Sequence, residues 1–223
     1  MRTVLWQAIQ KPRTTRNFIM NKNQIPLEIN GISESIYAGF WTRFASLLLD
    51  AIITLPIIYL TLYLNGLGKN IYFYTLIPNF GFGLWYYIYL TKKYGGTPGK
   101  LITGMKIIKL NGESIEWREA FLRHSVLLAL TLLSIIMMSS CLLSADEIIF
   151  NNLGWLKRSQ YLMSLSPLFF LIYTWATNIW IYSEFIVLLT NKRKRAIHDY
   201  IAGTVIVKAK YIEKIRETMN IKN

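Results

Sequence analysis

Two acidic residues lie inside long apolar stretches of this 223-residue sequence, and their placement suggests binding of cations or protons. Asp50 carries the one charge of stretch 44–64, and Glu184 carries the one charge of stretch 162–190. Each acid lies six residues from one end of its stretch, so two antiparallel helices would hold both carboxylates at equal depth from the same side. An acid at membrane depth is costly and usually serves a function. The pattern predicts a cation- or proton-binding vestibule built from Asp50 and Glu184.

Five further polar residues lie near that boundary. Arg43 precedes stretch 44–64, Arg123 and His124 lie at the start of a third apolar stretch, 124–143, and His198 and Asp199 follow stretch 162–190. They support an alternative in which Arg43 or Arg123 neutralises Asp50 and Glu184 reaches the lipid head groups, because polar side chains commonly fasten transmembrane helices together. Seven residues separate Arg43 from Asp50, which places them on one helix face about 10 Å apart along the axis. The residues alone leave both interpretations open, a solute site and an ion-pair network.

Catalytic and metal chemistry find little support in the sequence. The two histidines, His124 and His198, have no second histidine or cysteine at metal-ligand spacing. The run 95–100 (GGTPGK) lacks the first glycine of a phosphate-binding loop and the Ser or Thr that should follow the lysine. We therefore predict no enzymatic activity, no metal and no cofactor, and a tight turn at 95–100. The single cysteine, Cys141, excludes a disulfide scaffold.

Four long helices are needed to position these residues. With 53% hydrophobic and 17% charged residues, the chain is less charged than ordinary soluble domains. The stretches 44–64, 71–91, 124–143 and 162–190 each reach the ~20 residues that cross a ~30 Å hydrocarbon core. None of them shows the polar stripe expected of a helix in a soluble bundle. The sequence predicts an all-α membrane protein with four transmembrane helices.

The positive charges predict the orientation of these helices. Of the 25 lysines and arginines, 22 fall in segments 1–43, 92–123 and 191–223, and the net charge is +13. Because cationic loops stay on the cytoplasmic side, we expect both termini in the cytoplasm and a multi-pass protein of the cell (inner) membrane. The excess charge favours anionic lipid head groups as partners. Nucleic acid is not an expected partner, since no basic helix suited to reading bases stands out.

Short β-strand patterns occur in the segment between the second and third stretches. Residues 105–110 and 114–117 flank Asn111-Gly112, which is a strong hairpin signal. We therefore predict a small cytoplasmic β-hairpin between helices 2 and 3. The β-branched run 204–207 is a candidate third strand.

Three regions follow from these assignments. Residues 1–36 form a basic cytoplasmic N-terminal segment without the apolar core of a cleavable signal peptide. Residues 37–208 form the transmembrane domain, and residues 209–223 form a basic C-terminal tail. Four helices are few for a solute pathway, so transport would require a homo-oligomer or another membrane-protein partner.

Three ordered motifs resemble the RDD family of membrane proteins. They are GFWTRFA at 39–45 followed by Asp50; GTPGK at 96–100 with GMKI at 104–107 and NG at 111–112; and KRAIHD at 194–199 with AGTVIV at 202–207. The resemblance spans about residues 37–208. It implies an integral membrane protein, and the Arg and two Asp for which the family is named match Arg43, Asp50 and Asp199 by position.

The residues and the resemblance together leave two expected functions. Members of the family are often suggested to transport ligands that have not been identified, which implies transport of a cation or other small solute near Asp50. The alternative is a non-transporting membrane scaffold, or a lipid- or partner-binding module, in which the Arg and Asp residues are structural. The resemblance supplies no substrate.

Overall fold

The computed structural model describes residues 24–220; most of the predicted basic segment 1–36 and residues 221–223 lie outside the described residues. Within them the chain is mainly helical, with a two-stranded sheet. The helices are α1 Phe40–Asn65, α2 Ile71–Leu84, α3 Leu90–Tyr94, α4 Pro98–Ile102, α5 Trp117–Ser144, α6 Glu147–Asn152, α7 Trp155–Leu165, α8 Pro167–Thr190, α9 Ile197–Ile201 and α10 Ile212–Thr218. The strands are β1 Met105–Lys109 and β2 Thr204–Lys208.

Two of these helices, α1 and α5, are long and apolar enough to cross a membrane. They contain the first and third predicted spans, 44–64 and 124–143. The helices α7 and α8 meet the same criterion only as a pair, and the chain bends by 101° between them. The described residues thus contain two candidate spans, or three if the bent pair is one span.

The first helix, α1, is polar on its buried side and apolar on its exposed side. Ser46, Asp50 and Thr54 follow one another at four-residue intervals and are buried, whereas Leu47 and Ile52 are 59% and 63% exposed. A surface helix of a water-soluble protein has the reverse distribution. This arrangement suits a helix that is surrounded by lipid, and the chain is a membrane protein.

The second predicted span, 71–91, is helical but not uniform. After α2 the chain passes through a π-helical turn at Trp85–Tyr89 and continues as α3. Such turns occur mostly as single insertions within α-helices, frequently at functional sites. Here the turn carries Tyr86, which is buried and faces α1.

The fourth predicted span, 162–190, is wrong at its start. Residues 162–165 belong to α7, and the span-like helix α8 begins only at Pro167. The break has a local cause, because a residue that precedes proline is disfavoured in the helical region. Ser166 accordingly takes φ −150° and ψ 61°, and Pro167 occupies the first helical position, where it suits a helix start.

The predicted hairpin is also wrong, whereas the candidate strand at 204–207 is confirmed. β1 pairs antiparallel with β2, from Met105 opposite Lys208 to Lys109 opposite Thr204. The segment 114–117 contributes one isolated bridge, between Ser114 and Ile108. It cannot extend as a strand, since α5 begins at Trp117 and the Glu116 N–H donates to the Glu119 carboxylate at 2.9 Å.

The sheet lies at one end of the helices, which we call the sheet end. The Ala38 N–H donates to the Ile206 carbonyl at 3.0 Å immediately before α1 begins. On its other side the sheet packs against chain segments from both termini. This core contains Ile25, Ile29, Ile36, Tyr37, Ile108, Val205, Val207, Ile212 and Ile215. The sheet therefore holds the start of α1 and the end of the C-terminal region in one unit.

Candidate functional site

Asp50 is buried in α1 and accepts hydrogen bonds from three groups outside its own helix. Its Oδ1 accepts from the Tyr86 hydroxyl at 2.7 Å and from the Gly99 backbone N–H at 2.8 Å. Its Oδ2 accepts from the Thr97 hydroxyl at 2.5 Å. Both carboxylate oxygens are thus occupied, and Asp50 joins α1 to the π-helical turn and to α4.

The short helix α4 is built to approach α1 closely. Thr97 precedes it and Pro98 fills its first position, a common helix-start sequence. The Gly99 N–H has no partner within such a first turn, so it is free to bond Asp50. A Cβ atom at Gly99 would lie 2.3 Å from the Ser46 carbonyl oxygen and 2.7 Å from Asp50 Cγ. Only glycine fits between α4 and α1 at this point.

Lys100 completes the surroundings of Asp50. Its Nζ lies 3.7 Å from Asp50 Oδ2 and donates to the Thr97 hydroxyl at 3.1 Å. Burial lowers the pKa of Lys100 to about 8, although the charge of Asp50 opposes the shift. The basic partner of Asp50 is therefore this lysine.

Asp199 lies at the centre of a second ionic cluster and has no exposed surface. Arg43 Nη1 lies 2.9 Å from its Oδ2, and Arg123 Nη1 contacts its Oδ1. The Ala196 N–H also donates to Oδ2 at 3.0 Å, and Arg123 donates to the Thr204 hydroxyl at 2.7 Å. Burial alone would raise the pKa of Asp199, but Arg123 and Arg43 outweigh it and hold the pKa well below its usual range.

The interpretation in which Arg43 or Arg123 neutralises Asp50 is therefore wrong. Both guanidinium groups bind Asp199 instead. Arg43 is further held by the Ala38 carbonyl, at 3.2 Å from Nε, and by the Lys194 carbonyl. These acceptors lie at the sheet end of α1, two helical turns away from Asp50, which explains the choice of partner.

Glu184 in α8 pairs with His198 in α9. Its Oε2 lies 2.6 Å from His198 Nδ1, and its Oε1 accepts the His198 backbone N–H at 2.9 Å. Glu184 therefore does not reach the lipid head groups as the alternative interpretation had it. The other ring nitrogen, Nε2, lies 3.9 Å from Asp199 Oδ1. His198 thus connects Glu184 to the Asp199 cluster.

A cavity of about 730 Å³ lies among α1, α2, α5 and α8, with α4, α9 and the sheet at one end. The acidic and basic residues of its wall are Arg43, Asp50, Lys100, Arg123, His124, Glu184 and His198. The rest of the wall is mainly apolar, as at Leu47, Leu128 and Phe185. The structure thus brings the two predicted acids, Asp50 and Glu184, to one cavity. Asp199 does not line it but binds Arg43 and Arg123, which do.

Metal binding has no ready-made ligand set in the part of the chain that the structure describes. No group of three or more His, Cys, Asp or Glu side chains within residues 24–220 could hold a metal ion. His124 lines the cavity and stacks on Tyr87 with ring centroids 5.1 Å apart. His124 thus forms part of the cavity wall and belongs to no metal-ligand group among the described residues.

Four residues around Asp50 were missed by sequence reasoning: Tyr86, Thr97, Gly99 and Lys100. The sequence predicts a tight turn at 95–100, whereas Pro98 begins the helix α4, which packs against α1 through Gly99. A signal for this helix was present, because Thr followed by Pro commonly starts one. For Tyr86 there was none, since its neighbours Trp85 and Tyr87 are also aromatic.

Comparison with known proteins identifies the chain. The family model described as "RDD family" matches residues 37–203, which contain the charged residues of both ionic clusters and all of the cavity wall except Ile206. Neither the curated proteins nor the solved structures searched gave a match. Since the family model covers well over half of the sequence, this chain is a member of the RDD family.

Proposed function

We propose that this protein transports a cation or another small solute across the cell (inner) membrane through the cavity beside Asp50. In this proposal α1, the α2–α3 unit, α5 and α8 are the four spans, and both termini are cytoplasmic. The observation that carries the proposal is the cavity, whose wall has seven acidic and basic residues among apolar helices. Such residues at membrane depth commonly mark a substrate or ion pathway. The basic sheet end would then face the cytoplasm and its anionic lipid head groups.

Glu184 is the acid of this site that is best placed to exchange a ligand. Asp199 is held by two arginines, and Asp50 has both oxygens occupied by donors from α4 and the π-helical turn. Glu184 is paired instead with a single side chain, His198, and both residues line the cavity. A cation that binds Glu184 would take the place of His198 beside Oε2.

Asp50 has a different role in the proposal. By holding Thr97 and Gly99 against α1, it fixes the loop that forms one end of the cavity. It is a positioning residue, and solute contacts fall to the cavity wall near Glu184. Loss of Asp50 would therefore disturb assembly and transport together, whereas loss of the Glu184 charge would affect ligand binding first.

The test is reconstitution of purified protein into vesicles with an imposed pH or sodium gradient. We expect a flux that requires the protein, is abolished in Glu184→Gln, and persists in Glu213→Gln, a matched change at an exposed glutamate of α10. Sodium binding, measured directly, should likewise be lost in Glu184→Gln and kept in Glu213→Gln. Absence of flux for sodium, potassium and protons in correctly assembled protein would contradict cation transport.

A specific observation also favours the alternative, a non-transporting scaffold or lipid- or partner-binding module. Arg43, Asp50 and Asp199, the residues that match the family name, are all engaged inside the chain. They would then be structural, and a homo-oligomer or a complex with another membrane protein would be the functional unit. Absence of flux together with a stable larger assembly, measured by native mass spectrometry from membranes, would support this alternative.

A further inference from the structure

The helix α7 crosses the end of the molecule opposite the sheet. It runs from Trp155 to Leu165 and meets α8 at 101°. If α8 runs along the membrane normal, as the proposed function requires, α7 lies close to the membrane plane. Its depth and its exposed faces then decide what it contacts.

Two basic side chains fix α7 and its surroundings to the ends of the long helices. Arg158 donates from Nη1 to the Gly66 carbonyl at 2.6 Å, directly after α1, and from Nε to the Phe150 carbonyl at 2.9 Å. Lys69 Nζ donates to the Ala145 carbonyl at 2.7 Å, directly after α5. The level at which α7 lies is therefore the level at which α1 and α5 end and α8 begins, which is the expected boundary of the hydrocarbon core.

One face of α7 packs on the protein. Leu162 is only 8% exposed and belongs to a buried cluster with Cys141 and Phe150, and Tyr161 and Leu165 pack against the same cluster. At 100° per residue, Tyr161, Leu162 and Leu165 fall within about 100° of helix circumference. The packing of this face against the buried cluster holds α7 in place.

The remaining circumference is divided into an apolar and a polar face. Trp155, Leu156 and Met163 are 67%, 64% and 49% exposed, and they fall within about 100° of arc. The polar face is formed by the exposed residues Lys157, Gln160 and Ser164. Ser159 is also exposed and lies within the apolar arc, where its hydroxyl donates to the Trp155 carbonyl at 3.3 Å. A helix in water gains nothing from a fully exposed apolar face, whereas a helix at a membrane surface has its apolar face in the acyl region and its polar face in water.

We propose that α7 is an interfacial helix that binds the head-group–acyl boundary of one leaflet, with Trp155, Leu156 and Met163 inserted among the lipid chains. The surface does not select for head-group charge. The charged residues of 144–166 are Asp146, Glu147, Lys157 and Arg158, which sum to zero, and Arg158 is occupied by backbone carbonyls. The partner is therefore phospholipid in general and not anionic lipid in particular. This inference rests on the proposed spanning of α8.

Spin labels on single cysteines test the placement of α7 in lipid nanodiscs. On a Cys141→Ala background, labels at Leu156 and Met163 report the apolar face, labels at Gln160 and Ser164 report the polar face, and a label at exposed Ile179 in the middle of α8 is the depth control. We expect oxygen to relax the labels at 156 and 163 more than a water-soluble nickel chelate does, with the order reversed at 160 and 164. The pattern should be the same in phosphatidylcholine and in mixtures with phosphatidylglycerol.

The possible outcomes separate this inference from the proposed spans. A water-accessible label at 179 would overturn the spanning of α8 itself. A deep label at 179 combined with equal nickel access at all four α7 positions would overturn the interfacial helix alone. Labels at 156 and 163 that neither reagent reaches would also overturn it, because protein and not lipid would then cover the apolar face.

Discussion

Arg43 Nη1 and Asp199 Oδ2 are 2.9 Å apart although 156 residues separate them in the sequence. The contact ties the start of α1 to α9, and Arg123 of α5 binds the other oxygen of the same carboxylate. Three parts of the chain therefore meet at one buried charge. Two of the three residues that match the family name, Arg43 and Asp199, are therefore partners. The third, Asp50, binds the Tyr86 and Thr97 hydroxyls and the Gly99 N–H instead.

The Arg43–Asp199 pair should be energetically coupled. Removing one partner of a buried ion pair leaves the other charge uncompensated and costs about 3–5 kcal/mol. Arg43→Ala and Asp199→Ala should each lower the free energy of unfolding by about this amount, and the double variant should lose less than the sum. The free energies of unfolding of the wild type, the two single variants and the double variant, measured by heat or denaturant in detergent, form a double-mutant cycle that gives the coupling.

A second cycle provides the control. Arg43 and Asp50 share no partner, so the losses in Arg43→Ala and Asp50→Ala should add to within about 0.5 kcal/mol. Strong coupling between Arg43 and Asp50, with none between Arg43 and Asp199, would contradict the arrangement described.

Gly99 should tolerate no side chain. A methyl group would overlap the backbone carbonyl of Ser46, which belongs to a long helix and cannot move aside easily. Overpacking of this kind typically costs about 1–3 kcal/mol, and Gly99→Ala should lie at the upper end because it also displaces the N–H that binds Asp50. Gly81→Ala is the matched control, since nothing lies within 4 Å of a Cβ there. Equal melting temperatures for the two variants would refute the close approach.

Lys100 should make stability rise with pH in the alkaline range. Its pKa is about 8 in the folded protein and about 10.4 in an unfolded chain, so the unfolded state binds more protons between these values. Stability therefore increases as pH rises through this window, by about 2 kcal/mol between pH 7 and pH 9.5. Unfolding measured at both pH values should show this gain in the wild type and lack it in Lys100→Gln. If the free energy of unfolding changed with pH in the same way in both proteins, the lowered pKa of Lys100 would be contradicted.

The apolar stretches were sufficient to predict the long helices and the membrane setting. Hydrophobic runs of this length are a strong signal, and α1 and α5 contain the first and third stretches. The sequence also placed Asp50 and Glu184 at comparable depth, and both line one cavity. These features depend on composition along a single segment, which a sequence displays directly.

The partners of each charge could not be read in the same way. Asp50 binds groups 36 to 49 residues away. Its basic partner is Lys100 and not Arg43 because the segment that follows α3 comes back to contact α1. The polar stripe Ser46, Asp50, Thr54 escaped notice because two of its members are small hydroxyl residues among leucines and isoleucines. The break at Ser166 was obscured by apolar residues on both sides, although Pro167 marked it.

The uneven distribution of lysine and arginine predicts the orientation of the protein in the membrane. Among the described residues, every lysine and arginine except Lys69, Lys157 and Arg158 belongs to the segments 24–43, 92–123 and 191–220 at the sheet end. We therefore expect the sheet end in the cytoplasm and α6 and α7 outside. In a Cys141→Ala background, a single cysteine at Asn152 in α6 should react with a membrane-impermeant maleimide in intact cells, whereas one at Asn111 in the turn after β1 should not. After permeabilisation, both positions should react, which shows that the cysteine at 111 is accessible in the folded protein. Reversed labelling in intact cells would overturn the orientation, and labelling of both positions from outside would overturn the single span, α5, between them.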